Sequence, residues 1–597
     1  MSTARSLSDS YSRAAASLFC AATLVTIRLR SNREWRLTIN SGISARAERL
    51  LTEGRRLFDA GMTADAIELL GRARGLTPDN LCCVRWLVEA QIESNLLADA
   101  SATLEEALSE APDCEDLAVL KSELALERGS LATAESALDV AMACAEVSAA
   151  ALIQRARVCL FAGEHSAATA LLHRSIAIDP RNIAAQSALI VATSAESFIT
   201  TARLKALQRS WSLKHPVDID PRWPNDPRPD RRLRIGYVSA GFHRHAAAKV
   251  FSAVVMNHDP DKFEVYCYTS RRKRDGVSVR LRLAVAQWRS IAGLTDMQAA
   301  RLIRGDRIDL LIDLDGHFHR NRLGIFSLRA APAQASAWGY VPGPGIVGID
   351  YLLTDNVVVP PQEKECFSER LMTLPCAQPY EGDLMPRSTA PSRPDCDHGG
   401  PIRFGCFNRY DKLSDGTLSL WSRILQACPH STLTLKDRFF AEPRPRERVL
   451  ERLSQNGVDP RRISFQTRDP HAEYLASYDG IDLALDPFPI TGGVTTLDGL
   501  SQGVPVVTLC GAEPSSRIGA SILTSVGLRH LICNSQHEYL DRVVELSRDR
   551  AALASLRQAT LQSFERSLKW GQASYVRTVE AAYREIWSST CGRVKLG

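Results

Sequence analysis

The hydrophobic pattern divides the chain in two near residue 232. Before that point small positions recur every 34 residues: Gly61, Asn95, Gly129 and Gly163 are each followed five residues later by Ala66, Ala100, Ala134 and Ala168. Ala73, Ala107 and Ala141 keep this phase, with Ser175 in the fourth copy, and so do Pro78, Pro112 and Pro180, with Glu146 at the missing proline position. Small residues at this spacing let two antiparallel helices pack closely, and proline ends the second helix. Beyond residue 232 the pattern becomes short apolar runs, LRIGYVS at 233–239, FEVYCYT at 263–269 and IDLLIDL at 308–314, with room for helices between them. A second set follows: RFGCF at 403–407, TLTLK at 432–436, ISFQ at 463–466, LAL at 483–485 and VPVVTL at 504–509. Such runs suit buried parallel strands, and their alternation with helical segments predicts two doubly wound lobes.

The 34-residue period is that of the tetratricopeptide (TPR) repeat, a helical array that recognises protein partners and does no chemistry itself. Four copies run from about residue 47 to 182, and one more helical stretch reaches about residue 214. Residues 215–232 hold Pro216, Pro221, Pro224, Pro227 and Pro229, a density that breaks helices and marks a boundary; residues 379–401 form a second proline-rich linker. The expected organisation is an N-terminal extension over 1–46, repeats over 47–214, a linker over 215–232, and a first lobe over 233–378. A linker over 379–401 and a second lobe with a C-terminal helix over 402–597 complete it. Ligands of open α/β sheets bind at the carboxyl ends of the strands, so chemistry is expected in the cleft between the lobes.

Composition narrows the partners. A chain of 597 residues exceeds what one core organises, and its formal charge of +5 comes from Lys and Arg spread along the sequence, which argues against a nucleic-acid partner. Fifteen cysteines without a CxxC pair, and the adjacent Cys82 and Cys83 within a repeat helix, point to reduced thiols and a cytoplasmic setting. Asp395, Cys396, Asp397 and His398 have metal-binding side chains but sit in the proline-rich stretch without a second ligand group at zinc spacing, so they read as linker and no metal site is expected. Residues 14–27 are apolar between Arg13 and Arg28. That run is below the roughly 18 residues needed to span a bilayer and lacks a convincing cleavage site, so it reads as an extra helix, with no stable membrane association.

Three places carry candidate chemistry. The segment from Asp486 to Asp498 leaves a strand, turns through Gly492 and Gly493 and enters a helix. Glycines permit close backbone approach and a helix start offers unpaired N–H groups, a seat for a diphosphate. Thr495 and Thr496 add hydroxyls and Asp498 can accept from ribose; equally, Thr495 can simply cap the helix and Asp498 complement its dipole. Lys412, just past the first strand of the second lobe, can neutralise charge on a departing phosphate, or be a solvated surface lysine. His245, directly after the first strand of the first lobe, suits proton exchange near neutrality, with His243 and His317 as positional competitors.

Together the segments LRIGYVSAGFHRHA at 233–246, IDLLIDLDGHFHRNRL at 308–323, APAQASAWGY at 331–340, GIDYLLTD at 348–355 and FGCFNRYDKLSD at 404–415 resemble the TPR-containing protein O-GlcNAc transferases. The Gly-Thr segment, GVPVVTL at 503–509, SRIGASILTSVGL at 516–528 and AAYREIW at 581–587 extend the likeness, which is to the SPINDLY-like, chiefly bacterial members of glycosyltransferase family 41. The resemblance implies a TPR superhelix followed by a GT-B fold of two Rossmann-like lobes. It implies UDP-GlcNAc as donor, held mainly by the second lobe, and protein acceptors that enter along the repeats. It also implies inverting transfer to Ser or Thr without cofactor or metal, which makes Asp313 and Asp315 a strand terminus. By position His245 matches the active-site histidine, Lys412 the diphosphate lysine, and Thr495, Thr496 and Asp498 the UDP-binding residues. The chain departs from the pattern at Gly241, Arg409, Thr491, Val494 and Ser501; Arg409, in place of an amide, can strengthen phosphate binding. The peptide-binding asparagine positions of the repeats are Thr52, Trp86, Leu120 and Gln154. A UDP-glucose enzyme acting on Asn, or a non-catalytic TPR scaffold, are the competing readings.

Overall fold

The computed structural model describes residues 41–143, 146–195, 199–215, 223–381, 400–467 and 471–592. Ten helices come first: α1 (Ser41–Asp59), α2 (Thr63–Leu76), α3 (Leu81–Glu93), α4 (Leu97–Glu110), α5 (Glu115–Arg128), α6 (Leu131–Met142), α7 (Ala149–Phe161), α8 (His165–Ile178), α9 (Ile183–Ser194) and α10 (Thr201–Lys214). The 34-residue period has a backbone cause. Gly61, Asn95, Gly129 and Gly163 have φ of 79°, 61°, 83° and 75°, the left-handed turn that ends the first helix of each pair and that Gly and Asn adopt most cheaply. Ala66, Ala100, Ala134 and Ala168 are wholly buried where paired helices touch, so a larger side chain there would push them apart.

The array differs from expectation at both ends. The described part of its first helix already begins at Ser41, ahead of residue 47, and the stretch after residue 182 is a full fifth pair, α9 and α10, rather than one trailing helix. The fifth pair was hidden because Ser197 stands where the period calls for Gly. Nor does α10 bury its face on a further repeat: Trp211 and Leu204 join a core with Val238, Ile303 and Phe326, and Gln208 Nε2 donates to Gly343 O at 2.8 Å.

Strands β1 (Leu233–Ser239), β2 (Phe263–Thr269), β3 (Gln287–Ser290), β4 (Leu310–Asp313), β5 (Ala333–Ala337), β6 (Tyr351–Thr354) and β7 (Arg370–Thr373) form a sheet in the order β3-β2-β1-β4-β5-β6-β7. Strands β8 (Arg403–Cys406), β9 (Thr432–Lys436), β10 (Ile463–Gln466), β11 (Leu483–Leu485), β12 (Val506–Leu509) and β13 (Ile532–Cys533) form a second, β10-β9-β8-β11-β12-β13. Every ladder is parallel, from β1 with β2 to β12 with β13. Each sheet reverses its winding once, between β1 and β4 and between β8 and β11, which opens a crevice at the carboxyl ends of those strands.

Four further helices position the cleft: α11 (Ala246–Val255), α12 (Pro443–Gln455), α13 (Val494–Ser501) and α14 (Arg550–Cys591). Helix α14 does not stay with the second lobe as the expected unit 402–597 implies. Its last turns pack on the first lobe, where Tyr583 meets the Tyr237 hydroxyl at 3.0 Å and buried Trp587 donates to Arg228 O at 3.2 Å. Truncating a tryptophan so placed costs about 3–5 kcal/mol, so α14 straps the lobes together.

The repeats touch both lobes. Glu93 pairs with Arg271 at 2.8 Å and Arg320 at 3.2 Å on the first lobe, and Asp59 pairs with Arg272. From the second lobe, Glu442 accepts from Ser130 Oγ at 2.5 Å, Leu131 N at 2.9 Å and Ala132 N at 3.1 Å, so a residue just before α12 caps repeat helix α6. Of the positions Thr52, Trp86, Leu120 and Gln154, Leu120 and Gln154 are buried, and Gln154 bonds Ser122 Oγ at 3.1 Å and Arg157 at 2.6 Å. Those two are spent on packing.

Candidate active site

The loops after β1 and β8 carry His245 and Lys412, and the loop after β11 carries the Gly-Gly bend, so the sequence candidates fall at the two switch points. In the second lobe β11 runs into buried Asp486 and the chain passes a cis Phe488–Pro489 bond to Gly492 and Gly493. Asp486 Oδ1 accepts from Gly492 N at 2.7 Å and Oδ2 from Thr508 Oγ1 at 2.7 Å. Burial raises its pKa to about 6 against these bonds and the Lys412 charge. A Cβ on Gly492 would lie 2.5 Å from Thr496 Oγ1 and 2.8 Å from Asp486 Oδ1, so no other residue fits this bend.

Helix α13 then begins without a cap: Gly493 has no side chain to offer, and no acidic residue stands in the first turn. The capping alternative for Thr495 is not what forms, because its hydroxyl donates to Asn408 Oδ1 at 2.9 Å. The same Oδ1 receives Lys412 Nζ at 3.4 Å, and Nζ also donates to Thr491 O at 2.8 Å. Lys412 and the first turn of α13 therefore share one neighbourhood, and the surface-lysine alternative does not describe it. Burial, then Arg409, lowers the Lys412 pKa to about 8. Arg409 itself is exposed and pairs with Asp411 at 2.8 Å. Thr496 is buried and its hydroxyl has no protein partner, a cost of about 1–3 kcal/mol that a polar ligand at the helix start would offset.

In the first lobe His245 caps α11: its Nδ1 accepts from Ala247 N at 3.2 Å. A neutral ring bonded this way carries its proton on Nε2, so the free edge is a donor. The ring is exposed at the wall of a crevice, and the surrounding protein, followed by the Arg271 and Arg409 cations, lowers its pKa to about 4. The competitors separate on geometry. His317 is buried against the repeats, donating from Nε2 to Pro344 O at 2.8 Å with Nδ1 3.1 Å from Ser187 Oγ. His243 is buried beside His245, ring centroids 5.6 Å apart, with Nδ1 unpartnered and its pKa lowered to about 3, mainly by burial. Asp313 and Asp315 tie strand ends together: Asp313 accepts from Ser336 Oγ at 2.8 Å and Asp315 from Ser239 Oγ at 2.7 Å and Ala240 N at 2.6 Å.

Asp498 stands apart from the other candidates. Its carboxylate is buried and bonded to Lys249 Nζ at 2.8 and 3.0 Å and to the Tyr380 hydroxyl at 2.8 Å, so it is tied to the first lobe. Sequence reasoning missed Lys249, Tyr380 and the bridging role of Asn408. Asn408 sits inside the motif around Lys412, which is the one signal that pointed to it; Lys249 and Tyr380 had none. Gln378, also unforeseen, lies against the bend, its Oε1 buried without a partner and 2.4 Å from where a Gly493 Cβ would stand.

Among the described residues no group of three His, Cys, Asp or Glu side chains is placed to hold a metal ion, and no helix is long and apolar enough to cross a membrane. Residues 395–398 and 14–27 lie outside the described residues.

The sequence profile of glycosyl transferase family 41 matches residues 214–383 and 398–579, and that of the tetratricopeptide repeat matches 57–124. Two similar curated proteins carry the name "Probable UDP-N-acetylglucosamine--peptide N-acetylglucosaminyltransferase SPINDLY". The Solanum lycopersicum protein is 32% identical over 406 residues, 66% of this chain and 43% of that protein; the Arabidopsis thaliana protein is 32% identical over 380 residues, 62% and 41%. The chain thus spans about two fifths of the length of these relatives. A solved mutant of Thermobaculum terrenum O-GlcNAc transferase is similar at 29% identity and a TM-score of 0.73, covering 93% of this chain and 99% of that one.

Proposed function

Because the chain belongs to glycosyltransferase family 41, we propose that it is an inverting enzyme that moves N-acetylglucosamine from UDP-GlcNAc to Ser or Thr hydroxyls of proteins. One observation carries the reading: an uncapped helix start at Gly493, with the buried, unpartnered hydroxyl of Thr496 and the Lys412 ammonium beside it. Backbone amides, a hydroxyl and a cation converging on a side-chain-free bend suit a diphosphate. The names of the SPINDLY relatives and of the solved transferase favour GlcNAc over glucose and an enzyme over a scaffold.

In the transfer the acceptor oxygen bonds to the anomeric carbon as the bond from that carbon to the diphosphate oxygen breaks. The electron pair leaves with UDP and the hydroxyl proton passes to solvent or a nearby base. Charge grows on the departing diphosphate, where Lys412 and the first amides of α13 oppose it, with Arg409 at the rim. That positive charge comes from the chain itself, so turnover is expected to be unaffected by EDTA. His245 presents an Nε2–H to the cleft, a geometry for orienting an oxygen rather than deprotonating it while the Ala247 bond holds. Asp498 holds α13 against Lys249 of the first lobe and does not itself face the diphosphate.

The repeats, docked on both lobes, would bring the acceptor protein to the cleft. The free thiols of the described residues are in keeping with a cytoplasmic setting. The test is to incubate the protein with UDP-GlcNAc and host proteins and search Ser and Thr for an N-acetylhexosamine mass increment, alongside calorimetry with UDP. A hexose increment would replace the donor; no increment and no UDP binding would end the reading.

A further inference from the structure

Two helices from opposite lobes aim their N-termini into the cleft. Helix α11 is capped by His245 and α13 starts at Gly493. About one turn in from each start, Lys249 of α11 and Asp498 of α13 form an ion pair, with Nζ 2.8 and 3.0 Å from the two carboxylate oxygens and the residues only 5% and 2% exposed. The Tyr380 hydroxyl donates to the same carboxylate at 2.8 Å, and Glu381 N donates to Lys249 O at 2.6 Å, so the segment joining the lobes is tied to the pair. A buried pair of this kind gains little net stability, because desolvation offsets most of its attraction. What it does supply is a fixed geometry.

We propose that Lys249 is a positioning residue for the transfer reaction: it pins the donor-side helix α13 against the His245-bearing helix α11. The inference rests on the reading of the cleft as a nucleotide-sugar site. The diphosphate seat of Lys412, Thr495, Thr496 and the Gly-Gly bend lies wholly on the second lobe, while His245 lies on the first. Loosening the pin therefore leaves the seat intact and misaligns the sugar against the groups facing it. Reacting atoms must come within about 3–3.5 Å in line, and a misplacement of about 1 Å costs on the order of 100-fold.

The test compares full-length wild type, Lys249→Met and Lys249→Arg, measuring UDP affinity and stoichiometry by calorimetry and UDP release from UDP-GlcNAc per UDP-binding site. Lys249→Met is expected to bind UDP within about three-fold of wild type and to turn over about 100-fold more slowly per site, with Lys249→Arg recovering most of the loss. A pair that only stabilised the fold would lower the melting temperature and the number of binding sites and leave turnover per site unchanged; that result overturns the proposal. Should Lys249→Met not fold, Tyr380→Phe keeps both charges and removes one bond, and about ten-fold slower turnover per site is expected; unchanged turnover again overturns the role. Wild-type protein that binds no UDP defeats the functional reading itself, a result distinct from wild type that binds and variants that match it.

Discussion

Lys412→Met keeps the length of the side chain and removes the ammonium beside the Gly-Gly bend. That ammonium bonds neutral oxygens, Thr491 O at 2.8 Å and Asn408 Oδ1 at 3.4 Å. Burial and the neighbouring Arg409 hold its pKa at about 8, below the ordinary 10.5. A lysine with a folded value below its unfolded one costs stability at low pH; the cost is complete below about 8 and fades as pH rises toward 10.5. A gap of that size corresponds to on the order of 3 kcal/mol when fully expressed, and solvent at a partly exposed ammonium reduces it to about 1–2 kcal/mol. Without nucleotide, Lys412→Met is therefore expected to melt no lower than wild type. With nucleotide the balance reverses: losing a charge-assisted bond to phosphate costs about 1.5–3 kcal/mol in UDP affinity, and losing charge stabilisation of the leaving group costs roughly 100- to 1,000-fold in turnover. Thermal unfolding with and without UDP, calorimetry, and UDP release from UDP-GlcNAc read all three. A variant that melts several degrees lower yet binds and turns over like wild type would show the lysine to be structural and refute the argument.

The same lysine sets a pH dependence: wild-type UDP affinity is expected to hold up to about pH 8 and then fall by up to about ten-fold per pH unit, whereas Lys412→Met stays flat; calorimetry across that range decides. Thr496→Val removes a hydroxyl that has no protein partner, so the melting temperature is expected to be unchanged or higher while UDP affinity falls by roughly 2- to 12-fold; a destabilised variant with full affinity would contradict the assignment. Glu93→Gln leaves Arg271 and Arg320 without their shared carboxylate and is expected to cost about 3–5 kcal/mol in thermal or denaturant unfolding. Burial raises the Glu93 pKa but Arg271 and Arg320 outweigh it and hold the group below 4.5, so its contribution is present above pH 4.5 and disappears as pH falls through the folded value. Acid titration of wild type against Glu93→Gln tests that sign.

How much of this was legible depended on how local each signal is. Strands β1, β2 and β11 coincide with apolar runs in the sequence, because a strand buried on both faces of a parallel sheet must be apolar throughout, while β9, with the sequence TLTLK, and the edge strand β10, with ISFQ, show through as alternating runs. Strands β3, with the sequence QWRS, and β7, with RLMT, lie at the two edges of their sheet and carry no such run. Strand β5, AQASA, is completely buried but built of Ala, Ser and Gln, so no strongly apolar run marks it. The repeat period was visible because it reflects a left-handed turn made by Gly or Asn at Gly61, Asn95, Gly129 and Gly163, and it was lost at the fifth pair, where the sequence has Ser197 at that position.

The candidate site divides along the same line. Lys412, Gly492, Gly493, Thr495 and Thr496 come from two loops at one switch point, and strand-then-loop logic alone brings them near one another. Asp498 belongs to the same helix and looked like one of them, yet its carboxylate is committed to a lysine 249 positions away. No periodicity, spacing or composition pairs two residues at that separation, for the contact exists only once both lobes are folded and docked. Glu442 on α6 and Trp587 against the first lobe are of the same kind. The parts of the candidate site built from backbone amides and side chains of neighbouring loops can thus be read from sequence. The parts that set one lobe against the other cannot, and in the proposed enzyme, with its donor seat and His245 on opposite lobes, those are the contacts on which the reaction geometry would depend.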